Sequence, residues 1–236
     1  MEFRDVVRTT HAVRDFTTTP LSDHTLAEIL DDARFAPSGG NRQAWRTIIV
    51  KDLVLREQLR DVYALGWNAY VAQTLNGMTP FSPLNDRDQE AAVIADYTAA
   101  REGRDPREGL DFLVTAPALV VVLADLGQVA AMDRDLTRYS LVGGGSVYPF
   151  CWSILLSARS RGFGGVLTTM ATLNESAVCE LLAIPPTHAL AGLIALGEPQ
   201  RQFTRLTRSP VENFTTVNTF DGEGFGLSGH SEAKGD

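Results

Sequence analysis

The chain has 236 residues, a formal net charge of −8 and an ordinary hydrophobic share of 44%. That is enough for one large domain with a real core or two small ones, and it lacks the basic blocks that nucleic acid or an anionic membrane surface would require. Two cysteines, Cys151 and Cys179, are too few for a disulfide framework. With a charged opening stretch and no apolar run long enough to span a bilayer, they lead us to expect a reduced, cytoplasmic protein.

In chain order, residues 2–9 read as a short helix. Ser22 or Asp23 caps a second helix, whose face carries Leu26, Ile29, Leu30 and Ala33. Pro37 to Asn41 is a loop by its turn chemistry, and Trp45 to Val50 follows as a buried strand. Asp52 caps the next helix, with Leu55, Leu59 and Val62 inward. Residues 76–111 differ in character: three prolines, many charges and one amphipathic helix around 87–101. A solvated excursion is the favoured reading of this stretch, and a mobile lid over a site is the alternative. Ala118 to Leu123 reads as a fully buried strand.

The stretch from Gly143 to Thr169 organises the chain. Ser146 is placed to cap a helix with Pro149 in its first turn. Val147, Phe150, Cys151, Ile154, Leu155 and Ala158 form one apolar stripe, and Tyr148, Trp152 and Leu156 make the other side apolar as well. Such a helix belongs in a core or an interface. Arg159 and Arg161 oppose the negative end of its dipole, and Gly162 suits the left-handed stop. Val166 to Met170 reads as a short strand, Asn174 as the cap of a helix through Leu182, and Leu190 to Leu196 as the last strand. From Gln200 the chain is polar, and residues 223–236 read as a frayed tail. Strands alternating with helices favour an α+β or α/β fold.

Several chemistries are excluded. The histidines are scattered, without metal-ligand spacing, and neither a nucleophile elbow nor a Walker loop occurs. Gly162-Phe163-Gly164 fails as a dinucleotide fingerprint, because Leu167 stands where the third glycine belongs and the turn follows a helix. What remains is a polar set at loop ends: Arg14, Ser38, Asn41, Gln43, Arg205 and Arg208. Taken singly these are turn residues or solvated charges. Taken together they suit one phosphorylated, polyhydroxylated ligand.

At these residues the chain resembles the FMN-dependent nitroreductase family. Thr10 to Phe16 aligns with a basic-basic-Ser-x-basic-x-Phe signature. Ala36-Pro37-Ser38-Gly39-Gly40-Asn41-Arg42-Gln43-Ala44-Trp45 matches Ala-Pro-Ser-x-x-Asn-x-Gln-x-Trp. Arg159 to Gly164 matches the Arg-x-Arg-Gly-x-Gly end of a buried helix, and Arg208-Ser209-Pro210 the basic residue before a C-terminal proline.

The resemblance implies an α+β fold with a mixed central sheet flanked by helices, spanning residues 1–222. It also implies an intertwined homodimer with two FMN sites at its interface. It puts Arg14 at the flavin's N1–C2 edge, where a cation stabilises the charge of reduction. It brings Pro37, Ser38 and Gly39 from the partner subunit, with Asn41 and Gln43 nearby. Leu167, Thr168 and Thr169 would supply donors toward N5 and O4, and Arg208 with Arg205 would clamp the phosphate. Thr10 and His11 stand where the family has two basic residues and Ala12 where it has Ser; His11 can still donate to phosphate, and the departures imply a thinner clamp and weaker FMN affinity. Leu167-Thr168-Thr169 replaces a Pro-x-Glu-Gly run. The implied activity is hydride transfer from NAD(P)H to an electron-poor acceptor, a nitroaromatic or a quinone, with no catalytic side chain and no metal. Alternatives are a relative that uses externally supplied reduced flavin, for dehalogenation, ring cleavage or desaturation, and a non-catalytic flavin carrier or sensor.

Overall fold

A computed structural model describes residues 1–226. It divides into two compact units, the first from Met1 to Gln202 and the second from Phe203 onward. The first unit carries seven α-helices and four strands among the described residues: α1 Phe3–Thr9, α2 Asp23–Ala33, β1 Trp45–Ile49, α3 Leu53–Leu75, α4 Arg87–Ala100, α5 Phe112–Thr115, β2 Ala118–Asp125, α6 Tyr148–Ser160, β3 Gly164–Thr168, α7 Glu175–Leu181 and β4 His188–Gly197.

The strands lie in the order β1-β2-β4-β3, and all three pairings are antiparallel. The sheet expected to be mixed is therefore antiparallel throughout its four strands. The parallel element is a single bridge, Ala12 to Gly165, where the Val13 N–H donates to the Gly165 carbonyl at 3.0 Å. The N-terminal segment thus covers the outer edge of β3.

Alternate residues of β2 feed two cores, as a two-residue side-chain period requires. Leu119, Val121 and Leu123 join Leu59, Tyr63 and Leu113 under α3, α5 and α7. Ala118, Val120 and Val122 join Ile29, Cys151 and Ile154 under α2 and α6. Ala118 to Leu123 is buried throughout, as expected. The strand beginning at Trp45 is half-buried rather than buried, because it forms the sheet's other edge.

The Ser22 and Asp52 side chains accept the backbone N–H three residues on and start α2 and α3 as expected. Asn174 precedes α7 without a side-chain cap bond. Ser146 does not cap α6. It ends a 3-10 turn, Val142–Ser146, and Val147 occupies the cap position. Gly162 closes α6 with φ +87°, as its place in the sequence predicts. One side of α6 is only partly covered by the described residues, with Tyr148 and Trp152 each more than two-fifths exposed.

The expected amphipathic helix exists as α4, but Glu90 is its one buried residue. Glu90 takes hydrogen bonds from Asn85 and Arg87 rather than joining an apolar stripe. Buried Gln73 accepts the Phe81 N–H, and Asn68 donates to the Pro106 carbonyl, so both flanks of the excursion are tied to α3. In the second unit, residues 223–225 return against 215–217 through Val217 N–H to Glu223 O and Phe225 N–H to Thr215 O. The rest of the expected tail, with His230, lies outside the described residues.

Candidate functional site

The first cluster forms where β3 ends. The Thr168 hydroxyl is buried and bonds the Tyr63 hydroxyl at 2.9 Å, across 105 residues of chain. Tyr63 is itself fully buried on α3. Burial raises its pKa, and the Thr168 bond and the nearby Arg14 charge oppose that rise. A buried phenol needs a partner for its hydroxyl, and here that partner fixes the last residue of β3. Three residues along α3, Gly66 meets the turn that follows. A Cβ on Gly66 would stand 2.1 Å from the Met170 carbonyl oxygen, so the absence of a side chain lets α3 lie directly on the 3-10 turn Met170–Asn174.

Arg14 is exposed, with its guanidinium carbon 5.9 Å from the centre of the Phe112 ring. Among the described residues no carboxylate lies within ion-pair distance of it. The turn after β3 begins with N–H groups that the turn itself cannot use. A guanidinium without an ion-pair partner beside the end of a strand suits an electron-rich ligand edge. The Thr168 hydroxyl is committed to Tyr63, and Leu167 is paired with Ile194 in the β3–β4 ladder. His11 is half-buried, with Nδ1 3.3 Å from the Thr9 carbonyl and 3.4 Å from Gln202 Nε2. The Thr9 hydroxyl accepts from Arg159, which ties this segment to α6.

The second cluster is the loop before β1. Gly40, Asn41 and Gln43 all have positive φ, near +54 to +61°. Asn tolerates this region and Gln rarely enters it, so the loop carries local strain. It is held from both ends. The Gln43 N–H donates to Ser38 Oγ at 2.9 Å, and the Gly39 N–H donates to Ser146 Oγ at 3.2 Å. The Ser146 hydroxyl thus anchors this loop to the start of α6 instead of capping the helix. Pro37, Gly39, Asn41 and Gln43 are exposed. Among the described residues no hydrogen bond, ion pair or ring contact joins residues 37–43 to Arg14, Tyr63 or Thr168 within the chain.

Of the residues singled out from the sequence, the structure brings together Ala12, Arg14, Leu167, Thr168 and Thr169. It gathers Pro37, Ser38, Gly39, Asn41 and Gln43 separately. Arg205 and Arg208 belong to the second unit, where both are exposed and Arg208 donates to the Thr207 carbonyl. Tyr63, Phe112 and Gly66 escaped sequence reasoning. For Tyr63 the burial was legible, since it stands four residues from Leu59 on the face read as inward; its bond to Thr168 was not.

Two cavities adjoin the first cluster's turn. One of about 300 Å³ is lined by Thr169, Met170 and Thr172 with Tyr139, and by Phe81 and Arg87 of the excursion. A larger apolar one of about 650 Å³ lies between α3 and α4, walled by Leu65, Ala69, Ile94, Tyr97 and Leu173. Among the described residues no group of His, Cys, Asp and Glu could hold a metal ion, and no helix is long and apolar enough to cross a membrane.

The nitroreductase family model matches residues 7–198. The chain belongs to the nitroreductase family. The match takes in the Arg14 segment, the Ser38 loop, α6 and the β3 turn. A 4-nitrobenzoate reductase of Pseudomonas putida is 25% identical over 231 residues, covering 93% of this chain and 97% of that protein. Nitroreductase A of Vibrio parahaemolyticus superposes with a TM-score of 0.66 at 19% identity, over 93% of this chain and 77% of that one. Iodotyrosine deiodinase, solved with FMN and 3-iodo-L-tyrosine, does so with a TM-score of 0.64 at 25% identity, over 93% of this chain and the whole of that one. The chain is thus a nitroreductase-family flavin oxidoreductase of α+β fold.

Proposed function

We propose that two copies of this chain form an FMN-dependent oxidoreductase that takes hydride from NAD(P)H and reduces a nitroaromatic or quinone. The observation that carries this reading is Arg14, an exposed guanidinium with no carboxylate partner, set beside a β3 end that Tyr63 and Gly66 hold in place. When bound, FMN supplies two-electron chemistry between a nicotinamide donor and an electron-poor acceptor. The chain's own task is to seat and tune that ring. Arg14 would hold the N1–C2 edge and favour the anionic reduced form. The backbone of residues 167–169 would face N5 and O4. His11, Arg205 and Arg208 would hold the phosphate.

The homodimer reading draws on two features. The Ser38 loop is built and anchored, yet among the described residues no hydrogen bond, ion pair or ring contact joins it to the Arg14 cluster within one chain. The α6 face carrying Tyr148 and Trp152 is only partly covered by the described residues, and an apolar face of a central helix left open suits a symmetric interface. The cytoplasmic reading rests on two free cysteines, one of them, Cys151, buried with its pKa pushed up to about 12 by desolvation. A buried thiol of that kind is inert.

The test is to purify the protein, record its visible spectrum and follow NAD(P)H oxidation with a nitroaromatic. A flavin spectrum bleached by NAD(P)H and restored by the acceptor supports the reading. A protein that stays colourless after incubation with FMN overturns it. The likeness to iodotyrosine deiodinase supports a second reading, in which reduced flavin is supplied from elsewhere. A bound flavin bleached by dithionite but not by NAD(P)H selects it.

A further inference from the structure

A polar cleft of about 420 Å³ opens where β1 begins and β4 begins, bounded by Arg42, Arg46 and His188. From its position and chemistry we infer that this cleft reads the 2′-phosphate and adenosine of NADPH, and so makes NADPH the preferred hydride donor. The inference rests on the flavin oxidoreductase reading and names the donor for that same site.

Three observations converge. First, the basic groups come from three segments: Arg42 from the Ser38 loop, Arg46 from β1 and His188 from β4. Among the described residues neither arginine has a carboxylate within ion-pair distance. An arginine on an edge strand ordinarily deters edge-to-edge pairing. That accounts for Arg46 alone, not for a second guanidinium and an imidazole meeting it in a cleft. Guanidinium groups match a phosphomonoester in charge and geometry.

Second, the remaining wall suits a nucleoside. Trp45 supplies an aromatic surface, and it is oriented by stacking on Phe150 at 4.8 Å between ring centres with 3° between planes. Gln43 and Gln128 supply amides for a base edge. Asp125 supplies an acceptor for ribose hydroxyls, with one carboxylate oxygen already taken by the Gly127 N–H. Two guanidinium charges outweigh that one carboxylate.

Third, the cleft lies in the right place. The register pairs Trp45 with Ala124, Asp125 with His188 and Thr168 with Leu193. The start of β1, the end of β2 and the start of β4 therefore share one end of the sheet, and β3 runs toward that end and stops at Thr168, opposite Leu193. Through Ala124, Trp45 lies level with Ala189, and Thr168 lies level with Leu193 four residues further along β4, so three inter-strand steps and that offset put about 19 Å between them, a span an extended dinucleotide can bridge. Gln43 also lines the cleft while donating its N–H to Ser38 Oγ, so the cleft begins where the flavin-facing loop ends.

Calorimetry on the purified full-length protein, with the flavin it carries, tests this by comparing 2′,5′-ADP with 5′-ADP. The expected result is at least tenfold tighter binding of 2′,5′-ADP, with that preference lost in Arg42→Ala/Arg46→Ala. In turnover the same double variant should lose the preference for NADPH over NADH through KM rather than kcat. Equal affinity for the two nucleotides, or a preference the double variant retains, overturns the assignment. The two readings fail separately. Selective 2′,5′-ADP binding without flavin bleaching by either donor sinks the oxidoreductase reading and leaves the cleft standing. Bleaching by NADH and NADPH alike, with no selective 2′,5′-ADP binding, does the reverse.

Discussion

Gly66→Ala sets two effects of opposite sign against each other. Gly66 lies inside the 23-residue helix α3, and alanine in a helix interior is favoured over glycine by about 1 kcal/mol. Propensity alone predicts a more stable protein. The packing predicts the opposite. The added Cβ would stand 2.1 Å from the Met170 carbonyl oxygen and 2.9 Å from its carbonyl carbon. Reaching an ordinary contact of about 3.5 Å requires α3 and the turn to separate by roughly 1.4 Å. The obstacle is backbone on both sides, so no flexible side chain can yield. Overpacking of this kind costs about 3 kcal/mol at its upper range, and the net effect is a loss of about 2 kcal/mol. For a chain of this size that lowers Tm by roughly 4–8 °C, read by circular dichroism on the flavin-free protein. Flavin affinity, read by fluorescence quenching, should fall with it, because the displaced turn follows directly on Thr169. Gly145→Ala is the control, since a Cβ there meets nothing within 4 Å. A Gly66→Ala variant that melts at or above the wild-type temperature with unchanged flavin affinity would refute the reasoning.

Other outcomes follow from single contacts. Tyr63→Phe leaves the buried Thr168 hydroxyl unpaired and should cost about 1–2 kcal/mol. In a urea-unfolding cycle Tyr63→Phe with Thr168→Val should cost less than the sum of the singles, and strict additivity would remove the claimed bond. Arg56 is buried without a carboxylate and donates to the carbonyls of Val50, Val114 and Ala116 at 2.8, 3.0 and 2.6 Å. Arg56→Met should lower stability by about 3 kcal/mol by stranding those acceptors, measured by the same unfolding assay. The Asp133 carboxylate accepts from the Leu141 and Val142 N–H groups, Ser140 and Arg138, and these bonds, led by that from Leu141, hold its pKa well below the ordinary carboxylate range. A depressed folded pKa gives stability that is present above the unfolded value and lost as pH falls through the folded one. Wild type should therefore keep the 133–142 loop protected from hydrogen exchange at pH 5, while Asp133→Asn exposes it at that pH.

The local grammar of this chain is plain. Ser22 and Asp52 each place a side-chain acceptor before an apolar periodicity, and both begin helices. The branched run from Ala118 needs cover on both faces and receives it at the centre of the sheet. What could not be read is pairing across long separations. Ser146 has the right spacing to cap α6, and nothing nearby reveals that Gly39, 107 residues earlier, takes its hydroxyl instead. The half-burial of β1 depends on strand order, which periodicity does not encode. Arg14 and Ser38 were visible as members of a polar set at loop ends and of family motifs, and Thr168 only through the family resemblance. Tyr63 and Gly66 were hidden because each has an ordinary role in a helix, and becomes a site residue only through what packs against it.

The central claim is that each flavin seat combines Arg14 of one chain with the Ser38 loop of another. Differently tagged Arg14→Ala and Gly39→Glu chains, co-expressed and purified as mixed pairs, test it most directly. Gly39 has ordinary van der Waals room for a Cβ, so its variant should fold while placing a carboxylate where the ring would lie. Each variant alone should hold no flavin. The mixed pair should recover one flavin per two chains, because one of its two seats draws both its parts from unaltered segments. A mixed pair without flavin, although the wild-type pair binds it, would contradict the claim and place the whole seat within a single chain.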